Sequence, residues 1–166
     1  TFVNLEAPLP KTCPVLTEGM RFCGDQRFIQ GITAAGVDIA SLENNHIFNF
    51  GTEGFKQTES LLTEHGVSVA YDSTIAYKDV RGVRFAFLAF NGIERKLDRD
   101  LIRRSITEAR AHADIVAVSL HWGKEYVAMP TTDGTIAPDD PRDVGRFTID
   151  VGADIVLGNH PHWAQG

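Results

Sequence analysis

The sequence predicts an α/β fold built as one domain. The chain has 166 residues, within the ~100–200 residues usual for one domain, and its hydrophobic content of 43% is enough to form a core. Short apolar runs alternate with segments of helical pattern, which is typical of α/β proteins. The alternation stops at 67–90, where extended segments follow one another. We therefore expect a mixed sheet or two sheets rather than a simple doubly wound sheet.

The first half of the chain contains two predicted helices. Asp25 can cap the first helix, and Gly36 ends it. The second helix carries apolar residues at Phe55, Leu61 and Leu62, at helical spacing. The predicted elements are a strand end at 2–5, a loop at 9–19, a helix at 25–35, a strand at 37–42 and a helix at 52–66.

The second half of the chain is richer in strands. Residues 115–120 are almost wholly apolar, as in a strand that is covered on both faces. Pro141 suits the first turn of a helix that Gly152 ends. The predicted elements are strands at 67–71 and 74–77, a turn at 80–83, a strand at 84–90, a helix at 98–112, a strand at 115–120, a helix at 141–152 and a strand at 155–157.

Charge and hydropathy limit the partners. A net charge of −6 disfavours nucleic acid, and no apolar run approaches the ~18 residues of a membrane span. No signal peptide is visible, but Thr1 is not an initiator methionine and the chain begins within a predicted strand end. We therefore expect an excerpt, with room for an export signal or membrane anchor upstream. Cys13 and Cys23 can form a disulfide or remain two buried thiols, and the sequence leaves both open.

Polar side chains follow four of the predicted strands. Because the carboxyl ends of parallel strands meet at one edge of a sheet, these side chains can converge on one site. They are Asn4 and Glu6 after the first strand, Glu43, Asn44, Asn45 and His46 after the second, His121 and Glu125 after the strand at 115–120, and Asn159, His160 and His162 after the last.

Each of these residues also has a structural interpretation. A lone histidine at a strand end is more often hydrogen-bonded than metal-bound, and Asn44-Asn45 can serve a turn. The pair His160-Pro161-His162 is more informative, because two imidazoles one residue apart can face one cation. Imidazole, carboxylate and amide donors suit Zn²⁺, Mn²⁺ or Fe at a hydrolytic centre. The coincidence at four strand ends favours a metal site.

Four ordered motifs resemble one known family. They are N-L-E at 4–6, S-L-x-N-N-H at 41–46 followed by Gly51, L-H-W-G-x-E-Y at 120–126, and G-A-D-I-V-L-G-N-H-P-H at 152–162. In this order they resemble the CapA-like poly-γ-glutamate capsule synthesis proteins, within the calcineurin-like metallophosphoesterase superfamily. The resemblance implies a four-layer α/β/β/α sandwich with mixed sheets and two divalent metal ions (Mn, Zn or Fe). It also implies that residues 1–166 form a single domain of this type, incomplete at both termini, with an Asp-bearing strand expected before Thr1.

The resemblance assigns roles to the residues of these motifs. His46 matches the catalytic histidine, which stabilises or protonates the leaving oxygen. The implied metal ligands are Glu6, Asn45, His121, His160 and His162. Glu6 stands where the superfamily has a bridging Asp and is one methylene longer. Other residues are expected to support a ligand or contact substrate: Asn4, Asn44, Glu125 and Trp122. For Glu125 the choice lies between supporting His121 and contacting substrate, and for Trp122 simple packing is the alternative.

The leading hypothesis is a metal-dependent hydrolase or transferase-like enzyme. Its substrate would be a phosphoester or a γ-glutamyl-type amide in a cell-envelope polymer such as poly-γ-glutamate. The cations would stabilise the developing oxyanion, and His46 would act as the acid. The alternative is a non-catalytic, metal-dependent component that binds the polymer or assists assembly, and a third possibility is that these residues are only structural. Capsule synthesis implies a location outside the cytoplasm, at the cell envelope or its membrane.

Overall fold

Seven strands form two sheets in the computed structural model, which describes residues 1–15 and 19–165. The elements are β1 (Phe2–Asn4), α1 (Phe28–Ala34), β2 (Ile39–Ser41), α2 (Gly51–Glu64), β3 (Ser68–Ala70), β4 (Ala76–Val80), β5 (Val83–Asn91), α3 (Arg99–Arg110), β6 (Ile115–His121), α4 (Pro141–Asp150) and β7 (Ile155–Asn159). The predicted loop at 9–19 contains neither helix nor strand over 9–15, while 16–18 lie outside the described residues. The α/β class is confirmed.

The two sheets differ in strand direction. The first has the order β1-β2-β3 and is wholly parallel. The second has the order β4-β5-β6-β7, in which β4 is antiparallel to β5 and the remaining pairs are parallel. The chain passes from the first sheet to the second between β3 and β4 without a helix. The break in alternation at 67–90 therefore marks this passage. The prediction of a mixed sheet or two sheets is confirmed, and of the two sheets the second is the mixed one.

The sheets pack face to face, with two helices outside each. Phe2 of β1 stacks on Phe87 of β5, with ring centroids 5.3 Å apart, within a cluster that joins the inner faces. Residues of α1 and α2 share a core with β2 and β3, while residues of α3 and α4 share another with β5 and β6. Because successive side chains of a strand point to opposite faces of the sheet, each sheet contributes residues both to the core between the sheets and to the core under its helices. The layers are thus α/β/β/α, as the resemblance implied.

Several element boundaries differ from the predictions, and two of these differences have a clear local reason. The first helix begins at Phe28, because the Asp25 carboxylate accepts from the Arg27 N–H at 2.8 Å and from its guanidinium, which holds a turn before the helix. The predicted turn at 80–83 is the two-residue connection Arg81-Gly82, with φ of 51° and 83°. Positive φ at both positions matches the right-handed twist of a hairpin. β4 therefore extends to Val80.

Cys13 and Cys23 are joined by a disulfide, which selects one of the two alternatives left by the sequence. Both cysteines lie in the segment that connects β1 to α1, so the bond closes a loop within this segment. Over residues 1–15 and 19–165, no helix combines the length and apolar character that crossing a membrane requires.

Candidate metal centre

The loops after β1, β2, β6 and β7 meet at one place. His121 Nε2, at the end of β6, lies 2.9 Å from Asn45 Oδ1 in the loop after β2. Glu6 Oε1, after β1, lies 4.0 Å from His121 Nε2 and 3.8 Å from His162 Nε2. Because each sheet places the carboxyl ends of its parallel strands on one edge, the two edges supply the site from both sheets. The structure thus brings together at least one polar residue from each of the four motifs.

Glu6, His121 and His160 form the centre of this arrangement. One donor atom from each lies within 4.8 Å of the other two. The side chains of His121 and His160 are 1% and 4% exposed. Glu6 Oε1 and the Nδ1 atoms of both histidines are buried without a hydrogen-bond partner among the described residues. Since buried polar atoms are normally paired, an unpartnered carboxylate oxygen beside imidazoles fits a bound cation.

Burial keeps the two inner histidines neutral. Burial, with a smaller contribution from positive charge on the neighbouring histidines His160, His46 and His162, lowers the pKa of His121 to about 3. Burial also lowers the pKa of His160, although the Glu125 carboxylate opposes this effect. Metals bind the neutral imidazole, so both rings offer a lone pair at neutral pH without first losing a proton.

Two asparagines hold Glu6 in position. Asn4 Nδ2 donates to Glu6 Oε2 at 3.2 Å, and Asn44 Nδ2 donates to Asn4 Oδ1 at 3.2 Å. Asn44 is buried, and its Oδ1 accepts from the backbone N–H groups of His46 and Ile47. One oxygen of Glu6 is thus fixed by an amide while the other faces the histidines. Asn4 is therefore in direct contact with the Glu6 carboxylate, and Asn44 contacts it through Asn4.

The loop after β7 has a strained backbone at both histidines. His160 has φ of 90° and His162 has φ of 51°, in the left-handed region that favours glycine. The carbonyl of Pro161 accepts from the Tyr126 N–H at 2.8 Å, and the Tyr126 ring stacks on His162 with centroids 5.7 Å apart. Retention of imidazoles at strained positions is typical of functional sites.

Glu125 faces the histidine pair of this loop. Its Oε1 lies 3.8 Å from His160 Nε2 and 3.9 Å from His162 Nε2. The carboxylate is half-buried. The sequence suggested support of His121 or contact with substrate, whereas the structure places this carboxylate beside His160 and His162. Glu125 is therefore a further donor candidate at the centre.

His46 lies at the edge of the site with two neighbours that the sequence did not indicate. Its Nδ1 is 3.0 Å from Asn49 Oδ1, and its ring centroid is 4.0 Å from that of Phe22. Asn49 follows His46 by three residues, a spacing that suits a turn contact and was the available signal. Phe22 lies far from His46 in sequence, so its spacing gives no signal of this contact. The available signal was that Phe22 precedes Cys23, a residue that a disulfide could hold in place.

Trp122 packs into the core outside the second sheet. It is 9% exposed and belongs to the cluster under α3 and α4. A Cβ on Gly158 of β7 would lie 2.8 Å from Trp122 Nε1, so glycine is needed there for the indole to approach the strand. The packing alternative therefore accounts for Trp122.

Two hollows lie on the Asn45 side of the site. A cavity of about 580 Å³ lies between α2 and the start of α3, with apolar walls that include Phe55 and Leu97. A smaller hollow shares Glu43 and Arg95 with this cavity and is lined by Asn45. Asn45 connects this hollow to the site, because its Oδ1 lies 2.9 Å from His121 Nε2.

Comparisons with known proteins point to one family. The model of the bacterial capsule synthesis protein PGA_cap family matches residues 1–166. The PGA biosynthesis protein CapA of Bacillus subtilis (strain 168) is 31% identical over 140 residues, which cover 72% of this chain and 35% of that protein. The capsule biosynthesis protein CapA of Bacillus anthracis is 29% identical over 163 residues, which cover 82% and 38%. The chain thus spans little more than a third of the length of these two relatives.

A solved structure shares the fold. A hypothetical protein from Thermus thermophilus aligns with a TM-score of 0.57 and 22% identity, over 84% of this chain and 51% of that one. This likeness extends to the arrangement of the elements and carries no information about activity.

Proposed function

The chain belongs to the bacterial capsule synthesis protein family, and from that premise we propose that it carries the metal centre of a hydrolase or transferase-like enzyme of cell-envelope polymer synthesis. The observation that supports this most is the group formed by Glu6, His121 and His160, whose donor atoms lie within 4.8 Å of one another. Glu6 Oε1 is buried there without a partner among the described residues. A domain of purely structural polar residues would have satisfied these atoms internally.

The donors are sufficient for two divalent ions. Asn45 and Glu6 lie beside His121, and Glu125 lies beside His160 and His162. Glu6 Oε1 is also 3.8 Å from His162 Nε2, so Glu6 contacts both groups. Three protein donors with open positions are typical of catalytic transition-metal sites. Zn²⁺, Mn²⁺ and Fe all accept this donor set. When bound, such ions would stabilise negative charge that develops on the oxygens of the reacting bond.

His46 is proposed as the general acid. Its Nδ1 is engaged by Asn49 at 3.0 Å, which leaves Nε2 as the nitrogen available to a substrate oxygen or nitrogen. Positioned acids of this kind contribute about 10²–10⁴-fold to rate. His46 follows Asn45 directly, so the acid and an amide donor of the centre are held by one short loop.

The proposed substrate is a segment of a cell-envelope polymer. The names of the relatives indicate poly-γ-glutamate or capsule synthesis, so a γ-glutamyl amide is the first bond to consider. A phosphoester is the second, because paired ions also clamp phosphoryl oxygens. The hollow lined by Asn45 and the adjoining cavity of about 580 Å³ are the spaces beside the proposed centre in which such a chain would lie.

Metal analysis and activity assays on the full-length gene product test this proposal. We expect at least one transition metal per chain after metal loading, and its loss in the His160→Ala variant. We also expect turnover of a generic phosphodiester or of a γ-glutamyl peptide, reduced about 10²-fold or more in the His46→Ala variant. Absence of metal from the wild-type protein would refute the centre. Metal binding without turnover would instead indicate a component that binds the polymer or assists its assembly.

The proposed location is outside the cytoplasm, at the cell envelope. Disulfides persist mainly in oxidising compartments, and the Cys13–Cys23 bond agrees with this location. Thiol titration of denatured, non-reduced protein isolated from its native compartment should find neither cysteine free. Two titratable thiols would contradict the proposed location.

A further inference from the structure

The loop closed by the disulfide reaches the candidate catalytic histidine. Phe22 directly precedes Cys23, and its ring lies against the His46 imidazole with centroids 4.0 Å apart and planes tilted by 35°. Phe22 is half-buried. A bond between Cys13 and Cys23 restricts where Phe22 can lie, because it fixes the neighbouring backbone to the segment after β1.

Asn49 connects the same loop to the other side of the imidazole. The Phe22 N–H donates to Asn49 Oδ1 at 2.7 Å, and His46 Nδ1 lies 3.0 Å from the same oxygen. Arg21 Nη2 donates to the Asn49 carbonyl at 2.6 Å. Two successive residues of the loop are therefore bonded to Asn49.

These contacts determine the protonation site on the ring. A backbone N–H can only donate, so the Asn49 atom that it meets must be the amide oxygen, which fixes the orientation of that amide. The oxygen can only accept, so His46 Nδ1 must carry the hydrogen. In the neutral ring, Nε2 then holds the lone pair, and it is the nitrogen that carries the additional proton when the imidazolium form of His46 acts as the acid.

We propose that the Cys13–Cys23 loop is a positioning element for His46, in which Phe22 and Asn49 together fix the ring plane and the Nδ1–H tautomer. Neither residue is assigned contact with substrate, so each acts through His46. The consequence for rate rests on the proposed catalytic role of His46, whereas the tautomer and ring position do not. A different set of contacts holds the backbone of this histidine, since its N–H donates to Asn44 Oδ1.

The tautomer can be read directly in the full-length gene product. Selective ¹⁵N-histidine labelling and a long-range ¹H–¹⁵N spectrum near pH 8, about 1.5 units above the usual imidazole pKa, report which nitrogen carries the hydrogen. Loading with Zn²⁺, which is d¹⁰, avoids paramagnetic broadening. The signal missing from His46→Ala identifies the residue. We expect the Nδ1–H tautomer in the wild type, a mixture in Asn49→Leu, and recovery in Asn49→Asp, which restores an acceptor oxygen.

Kinetics of the Phe22 variants test the ring contact. We expect Phe22→Ala to lower kcat about 10–100-fold with little change in KM, and Phe22→Tyr, which restores a flat ring, to recover most of this loss. The matched control is Phe28→Ala, which removes an exposed phenyl ring from the start of α1. A Phe28→Ala effect as large as that of Phe22→Ala would overturn the specific role of Phe22.

The disulfide is tested with the double variant Cys13→Ser/Cys23→Ser. We expect a mixed tautomer and a kcat loss close to that of Phe22→Ala. Wild-type tautomer and kcat in this variant would overturn the role of the loop. An Nε2–H tautomer in the wild type would overturn the inference whatever the activity. An inactive wild type with the Nδ1–H tautomer would refute the proposed enzymatic function while supporting the action of the loop on the ring.

Discussion

The two ends of the strands differ in whether their polar side chains have hydrogen-bond partners. At the amino ends, the carboxylates that precede β6 and β7 are satisfied. Asp154 accepts from the Val116 N–H at 2.7 Å and from Arg110 at 2.6 Å, and Asp114 accepts from the Arg84 N–H at 2.8 Å. These groups tie strands to their neighbours and to α3.

At the carboxyl ends, donors are brought together and left without partners. Glu6 Oε1 and the Nδ1 atoms of His121 and His160 are buried with no hydrogen bond among the described residues. The backbone beside them is strained at His160 and His162. Unpaired buried groups and positive φ both lower stability, so this end is built at the expense of folding free energy. Polar residues at the amino ends thus stabilise the fold, whereas those at the carboxyl ends are available to a ligand.

Replacement of Glu6 by Gln should give the largest effect on metal binding. The change removes the anionic donor that faces His121 and His162, so we expect metal affinity to fall more than the ~100-fold that loss of a supporting contact can cause. We expect the metal-free variant to unfold at the same or a higher denaturant concentration, because a buried unpaired charge has been removed. Isothermal titration with Zn²⁺ and denaturant unfolding measure the two quantities. A metal-free variant less stable by more than ~1 kcal/mol would place Glu6 with the structural residues.

Replacement of Asn4 by Ala should have the next largest effect. Glu6 Oε2 would lose its amide donor, and the carboxylate would no longer be held toward the histidines. Loss of such supporting contacts usually weakens metal binding about 10–100-fold, and we expect a change in that range by the same titration. Unchanged affinity would mean that backbone geometry alone positions Glu6.

Replacement of Asp154 by Ala tests the opposite end. Although burial alone would raise it, hydrogen bonds from the Val116 N–H and Arg110 hold the pKa of Asp154 below its usual value. We expect the free energy of unfolding at pH 7 to fall by about 2 kcal/mol, with no change in metal affinity. A lowered pKa contributes stability above the unfolded value of about 3.9, which is lost as pH falls through the folded pKa. The difference from wild type should therefore shrink below about pH 4, as measured by urea unfolding at several pH values. Weakened metal binding in this variant would undermine the separation of the two ends.

Local sequence pattern predicted most of the fold and most of the donors. His121 and His160 each follow an apolar strand, so residue type and strand position together indicated where they would lie. The passage between sheets at 67–90 was visible because a helix is missing there. These features depend on neighbours in the chain, which a single sequence records.

What the sequence missed depends on contacts between distant segments. Phe22 contacts His46 across a long stretch of sequence, and nothing in the spacing of the two residues reveals this contact. The sequence also did not predict which histidines Glu125 contacts, because this depends on the path of the chain after β6. The start of α1 was misplaced for a smaller reason, because Asp25 bonds Arg27 in a turn and does not cap the helix.

Replacement of His162 by Gly should have the smallest effect, and its sign is the most informative. His162 has φ of 51° and a side chain that is 42% exposed, so glycine relieves backbone strain and mainly loses the stacking contact with Tyr126. We expect the metal-free protein to gain about 1 kcal/mol in free energy of unfolding, the strain relieved minus the extra chain entropy of glycine. The matched control is His65→Gly at the end of α2, where φ is −101° and glycine relieves no strain. That variant should lose about 0.5–1 kcal/mol. Urea unfolding of the metal-free variants measures both changes. Opposite signs for the two substitutions would mean that His162 lowers the stability of the fold. Equal losses would mean that the left-handed backbone at His162 is not strained.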